Sequence, residues 1–207
     1  MTMALFRLRQ GGRRVTVVDA YQFPGSVRQR FASEHPALTA DTIKTVEAGT
    51  RQWFRLAARH PKARLAMPSV VVDDLWHELV LHTREYAEFC DAAFGRFLHH
   101  TPEASTSGGL KETFRLAKQD EEGAVLPLIF RVDHDLGVPG GRHYLADCGG
   151  RGLCYELKGT VCIEHLAGPG KRPGGGWDFK RNAPDGGMSQ AGGDPGGGCG
   201  GGCGGGN

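Results

Sequence analysis

The side chains able to do chemistry in this chain fall into two sets. Asp73 and His77 stand four residues apart, and the pair His99-His100 follows some twenty residues later. On a helix, positions i and i+4 share a face, so the Asp73 carboxylate can fix the tautomer and orientation of the His77 ring. Imidazole and carboxylate together suit a divalent metal. His77, with Asp73 behind it and a histidine from the His99-His100 pair, would then be the centre of a metal-dependent enzyme. The plainer alternative is a partly buried histidine bonded to Asp73, with His99 and His100 buried or placed at a helix end.

The second set is Cys148, Cys154, Cys162 and His165, in the order C-x5-C-x7-C-x2-H. Thiolate and imidazole are zinc ligands, and four of them from the protein describe a structural zinc rather than a catalytic one. His143 is a substitute fourth ligand. The spacing lacks the tight C-x2-C knuckle of common zinc modules, so the competing reading is reduced, partly buried thiols. Cys90 belongs to neither set. Thirteen residues of continuous helix put it roughly 140° around and about 20 Å along from His77, too far to share an ion. It reads as a small buried apolar residue. Nothing resembles a Ser-His-Asp or Cys-His hydrolase pattern, so no catalytic residue is assigned.

These groups need elements to hold them. Pro68 and Ser69 give a start signal, and Val72, Trp76, Leu79, Thr83, Tyr86, Cys90 and Phe94 recur at spacings of three and four. The pattern predicts one long amphipathic helix that Gly95 ends. Upstream, Val27 and Phe31 mark a short helix. A stronger one is capped by Thr39, faces inward with Ile43, Val46, Thr50, Trp53, Phe54 and Ala57, and stops at His60-Pro61. His60 and Arg59 sit where cations favour a helix C-terminus. Leu110 to Glu121 predicts another helix. LFRLRQ and RRVTVV flank Gly11-Gly12 and suggest a small hairpin or a frayed extension.

From Leu126 the pattern changes. LPLIFRV, RHYLADC, LCYEL and VCIEHL, separated by glycine-containing turns, read as short strands. A loop at Lys158-Gly159-Thr160 would pair the last two as a hairpin, with Leu157 facing Val161 and Tyr155 facing Ile163. Cys154 and Cys162 would share the other face. The predicted fold class is therefore mainly α: a compact helical core with a small β-rich annex and a disordered glycine-rich C-terminal tail. Residues 1–20 form an extension, 21–166 the domain, and 167–207 the tail.

Within that organisation, the stretch VDDLWHELVLHTREYAEFCDAAFGRFLHHTP, with YQFP, RQWFRLAARHP, MPS and LPLIFRVDHDL around it, resembles the glycine-rich-domain-protein-like family over about residues 20–165. Asp73, Trp76, His77, Tyr86, Cys90, Gly95 and His100 are the matching positions. Plant members carry a second histidine two places after the first, where this chain has Leu79. The resemblance implies a fold but supplies no activity.

Composition narrows the partners. A net charge of +2 and the absence of a basic run give no reason to expect nucleic acid or an anionic membrane. The first twenty residues hold no apolar stretch of signal-peptide or membrane length, which suggests a soluble cytoplasmic protein. Beyond Leu166 the sequence is dominated by glycine and holds few aliphatic residues; Trp177 and Phe179 are its sticky points for a protein partner. Three functions follow. The favoured one is a binding or scaffold protein, with a metal such as zinc as an optional stiffener. The second is the metal-dependent enzyme above, and the third a precursor whose Gly/Cys tail, with Cys199 and Cys203, is modified by a partner enzyme.

Overall fold

Helices begin where the chain offers a cap and end where it offers a break, and the longest run of buried residues follows such a cap. The computed structural model describes residues 2–100, 107–149 and 159–165. The disordered-tail and tail-modification expectations, with Cys154, Cys199 and Cys203, lie outside the described residues. Among those residues the order is α1 Thr2–Ala20, α2 Gly25–Glu34, α3 Ala40–Arg59, α4 Val70–Leu81, α5 Thr83–Phe94, α6 Ser107–Asp120, α7 Leu128–Asp135, β1 His143–Leu145 and β2 Thr160–Cys162. The protein is mainly helical. No described helix is long and apolar enough to cross a membrane.

Helix α3 is the central element. Thr39 caps it by accepting from the Thr42 amide, and α1, α4, α5, α6 and α7 all pack against it. Its buried face carries Val46, Trp53, Phe54, Leu56 and Ala57. Gly49 lets α4 approach closely, since a Cβ there would meet the Val72 side chain at 3.0 Å. Buried Glu47 and Glu78 are each paired with an arginine of α2, Arg28 and Arg30.

The expected single helix over 69–94 is two. His82 ends α4 and starts α5 with φ −84° and ψ 65°, its amide turning back to the Leu79 carbonyl. The break has a consequence for packing. On a straight helix Trp76 and Tyr86 would be about 15 Å apart along the axis. Here the Trp76 indole N–H donates to the Tyr86 hydroxyl at 2.9 Å, and that hydroxyl donates to the Leu98 carbonyl at 2.5 Å. Gly95 ends α5 as predicted, at φ 66°.

Two further expectations are corrected. Residues 2–20 are helical rather than a hairpin, and Val18 is fully buried in the core. LPLIFRV is not a strand: Leu128–Asp135 is α7, burying Ile129, Phe130 and Val132. The reason lies far away in sequence. The free amides at its start are met by side chains of other elements, Leu128 N by Glu121 Oε2 at 2.8 Å and Ile129 N by Gln52 Oε1 at 2.9 Å. Among the described residues the annex is a pair of three-residue strands in parallel, with Tyr144 opposite Val161 and Leu145 opposite Cys162. The other half of the expected hairpin, LCYEL, lies outside the described residues.

One buried carboxylate joins these parts. Asp133, 2% exposed, accepts from Ser69 Oγ at 2.6 Å, Val70 N at 2.8 Å, Val71 N at 3.3 Å and Arg142 N at 2.9 Å. Asparagine has the same size but only one acceptor oxygen, so Asp133→Asn leaves buried donors unmet. We expect a loss of about 2–4 kcal/mol in urea denaturation; a loss below about 1 kcal/mol would show that these bonds do not hold the fold.

Candidate functional site

The residues named from sequence assemble into two groups. In the first, Asp73 and His77 project from successive turns of α4, and His100 comes back over them from the segment after α5. His100 Nε2 lies 2.9 Å from Asp73 Oδ1, whereas His77 Nδ1 is 3.9 Å from Asp73 Oδ2. The partner of Asp73 is thus His100, and the local i,i+4 pairing is too long for a hydrogen bond. The two imidazole rings lie side by side, centroids 4.0 Å apart. One ligand-type atom from each of Asp73, His77 and His100 falls within 4.8 Å of the others.

Core contacts place His100. Leu98 is held on both sides, its carbonyl by Tyr86 and its amide by Cys90 Sγ at 3.5 Å. Two residues later the His100 ring packs edge-on against Trp76, centroids 4.5 Å apart, with only 10% of the side chain exposed. His99 turns the other way onto Phe97 and does not join the group. Cys90 is buried, and burial pushes its thiol pKa up, opposite to what a nucleophile requires. Next to the group, Asp74 faces His35 at 3.3 Å; burial raises the Asp74 pKa against that attraction.

The second group sits in the annex. His165 Nδ1 is 3.1 Å from Cys148 Sγ and 3.5 Å from Cys162 Sγ, and all three ligand-type atoms lie within 4.8 Å. Cys162 ends β2, where its register partner Leu145 brings the chain leading to Cys148 alongside. His143 instead faces His134, ring centroids 4.4 Å apart. Three short polar links fasten the annex to the helical core: Arg142 N to Asp133 of α7, and, on the segment leading into α4, Arg142 Nη1 to Met67 O at 2.6 Å and Tyr144 Oη to Pro68 O at 2.9 Å. Sequence reasoning missed Asp133, whose partners come from distant segments.

A cleft of about 630 Å³ opens elsewhere, at the end of α3, with Arg14, Arg59, His60, Lys62 and Glu112 on its walls. His60 there is not the favoured cation that its place at a helix C-terminus suggests. Burial, then Arg115 and Arg59, lower its pKa.

A family model described as UCP032817-like matches residues 13–166. No curated protein and no solved structure matches the chain. The match corrects the resemblance to the glycine-rich-domain-protein-like family. The stretches that carried that resemblance are accounted for here by caps and packing, namely Ser69 at a helix start, Gly95 at a helix end and Trp53 and Trp76 in the core.

The geometry separates the roles of the two histidines in metal-free protein. His100→Ala removes a ring packed on Trp76 and the partner of Asp73, so a loss of about 1–2 kcal/mol is expected. His77→Ala, at a side chain 47% exposed, should stay within about 0.5 kcal/mol. Equal losses in urea denaturation would show that His100 is not the anchored member.

Proposed function

Since the chain belongs to the UCP032817-like family, whose description names no activity, we propose a function from the site itself: a metal-stiffened binding scaffold whose annex is closed by a structural zinc. The observation that carries this is the convergence of Cys148, Cys162 and His165. With Zn–S near 2.3 Å and Zn–N near 2.0–2.1 Å, a tetrahedral ion sets its sulfur and nitrogen ligands roughly 3.5 Å apart. The measured separations of 3.1 and 3.5 Å are close to that spacing. Cys154, outside the described residues, is the fourth ligand in this reading.

A zinc also answers a stability problem. Two strands of three residues each bury too little to stand in water. Four protein ligands would cross-link them and leave no coordination position for a substrate water. The annex is then a fixed platform on the helical core, from which residues 167–207 lead off to a protein partner. Cytoplasmic location, where thiols stay reduced and able to bind metal, fits this reading.

Purified full-length protein should contain zinc, and removing it with a chelator should expose the annex while the helices stay folded. Hydrogen exchange at the Ile163 amide, bonded to the Leu145 carbonyl at 2.8 Å, is the readout. A zinc-free protein in which that amide remains protected would overturn the proposal.

A further inference from the structure

We infer that Asp73, His77 and His100 form a second divalent-metal site, open to solvent and distinct in chemistry from the annex group. Its ligands are one carboxylate and two imidazoles with no thiolate, a set that suits zinc, cobalt, nickel or ferrous iron. The separations fit. For metal–ligand bonds near 2.1 Å, a tetrahedral edge is roughly 3.4 Å. The measured separations run to the two oxygens of the carboxylate, 2.9 Å from His100 Nε2 to Asp73 Oδ1 and 3.9 Å from His77 Nδ1 to Asp73 Oδ2, and one ligand-type atom from each residue lies within 4.8 Å of the other two. Closing these atoms to the tetrahedral edge falls to the half-exposed His77 side chain, which has the freedom to rotate.

The surroundings divide the ligands into fixed and adjustable. His100 is held by Trp76 and by the anchored Leu98, and Asp73 by its place in the first turn of α4. His77, 47% exposed, swings from the solvent side. An ion here would take the place of the hydrogen bond between His100 Nε2 and Asp73 Oδ1. Three protein ligands leave at least one coordination position for water, or for a carboxylate or phosphate oxygen of a bound molecule. That is the arrangement of a site that presents a Lewis-acidic ion, rather than one that closes around it.

Cobalt distinguishes the two groups, because thiolate ligands add a near-ultraviolet charge-transfer band that nitrogen and oxygen ligands do not. Metal-free full-length protein is titrated with Co2+, following visible absorption and tryptophan fluorescence, since Trp76 packs on His100. A Co2+ ion that binds without the charge-transfer band and quenches fluorescence is expected. His77→Ala should weaken that ion at least about tenfold, because even partners outside the coordination shell are worth about 10–100-fold. Cys162→Ser should leave it in place while removing the thiolate band. If His77→Ala and wild type bind this ion equally, or if no such ion binds below millimolar Co2+, the site is overturned. A missing thiolate band with the second ion retained would refute the annex zinc alone, so the two proposals fail separately.

Discussion

A carboxylate taken out of water must find hydrogen-bond donors, and the fold is arranged so that Asp133 finds them in two other segments. Ser69 Oγ and the amides of Val70 and Val71 bring the N-terminus of α4, and the Arg142 amide brings the start of the annex. The desolvation cost of a buried charge is offset only if these donors arrive together. The positive end of the α4 dipole adds to the same balance. Ser69 works twice there, donating to Asp133 while accepting from Val72 N at 3.1 Å. Because Asp73 lies one turn further on, the same carboxylate that fastens the annex also fixes where the Asp73 and His77 side chains leave the helix.

The other half of that group is positioned by a line of polar contacts through the core. Trp76 donates to Tyr86, Tyr86 to Leu98, and the Leu98 amide to Cys90. Burial raises the Tyr86 pKa, keeping the hydroxyl protonated and able to serve as donor and acceptor at once. The path from Gly95 to His100 is thus set by bonds inside the core rather than by local helix geometry. Gly95 belongs to this arrangement as well, since at φ 66° it turns the chain and a Cβ there would lie 2.7 Å from Arg14 Nη2.

Features whose causes are local were legible in the sequence. Thr39, Ser69 and Gly95 act within one turn of themselves, and the stripe through Val46, Trp53 and Phe54 needs only a helical period to be read. What could not be read has partners far along the chain. α7 looked like a strand because its run of Leu, Ile and Phe is short and its amides are met by Gln52 and Glu121. The break at His82 carries no glycine or proline. Asp73 lies next in helical register to His77 but bonds to a ring 27 residues away. Of the annex residues named from their spacing, Cys148, Cys162 and His165 lie together, while the parallel pairing of the strands depends on a crossover that no short motif announces.

The two metal groups would couple differently to folding. In the helical group, hydrogen bonding between Asp73 and His100 and packing on Trp76 hold two ligands in place before any ion arrives. An ion there would gain affinity from a prepared site and contribute little order, which is what a site with an open coordination position needs if bound molecules are to come and go. Among the described residues, the annex group has two three-residue strands behind it, with links to α7 and to the segment leading into α4. Its metal would be part of the structure that it stabilises, with binding free energy appearing as folding free energy. Ligand chemistry would keep the ions apart, since thiolates favour zinc and other soft ions while imidazole and carboxylate accept a wider range of first-row metals. With both ions in place, exchange at the helical group would proceed without loosening the annex.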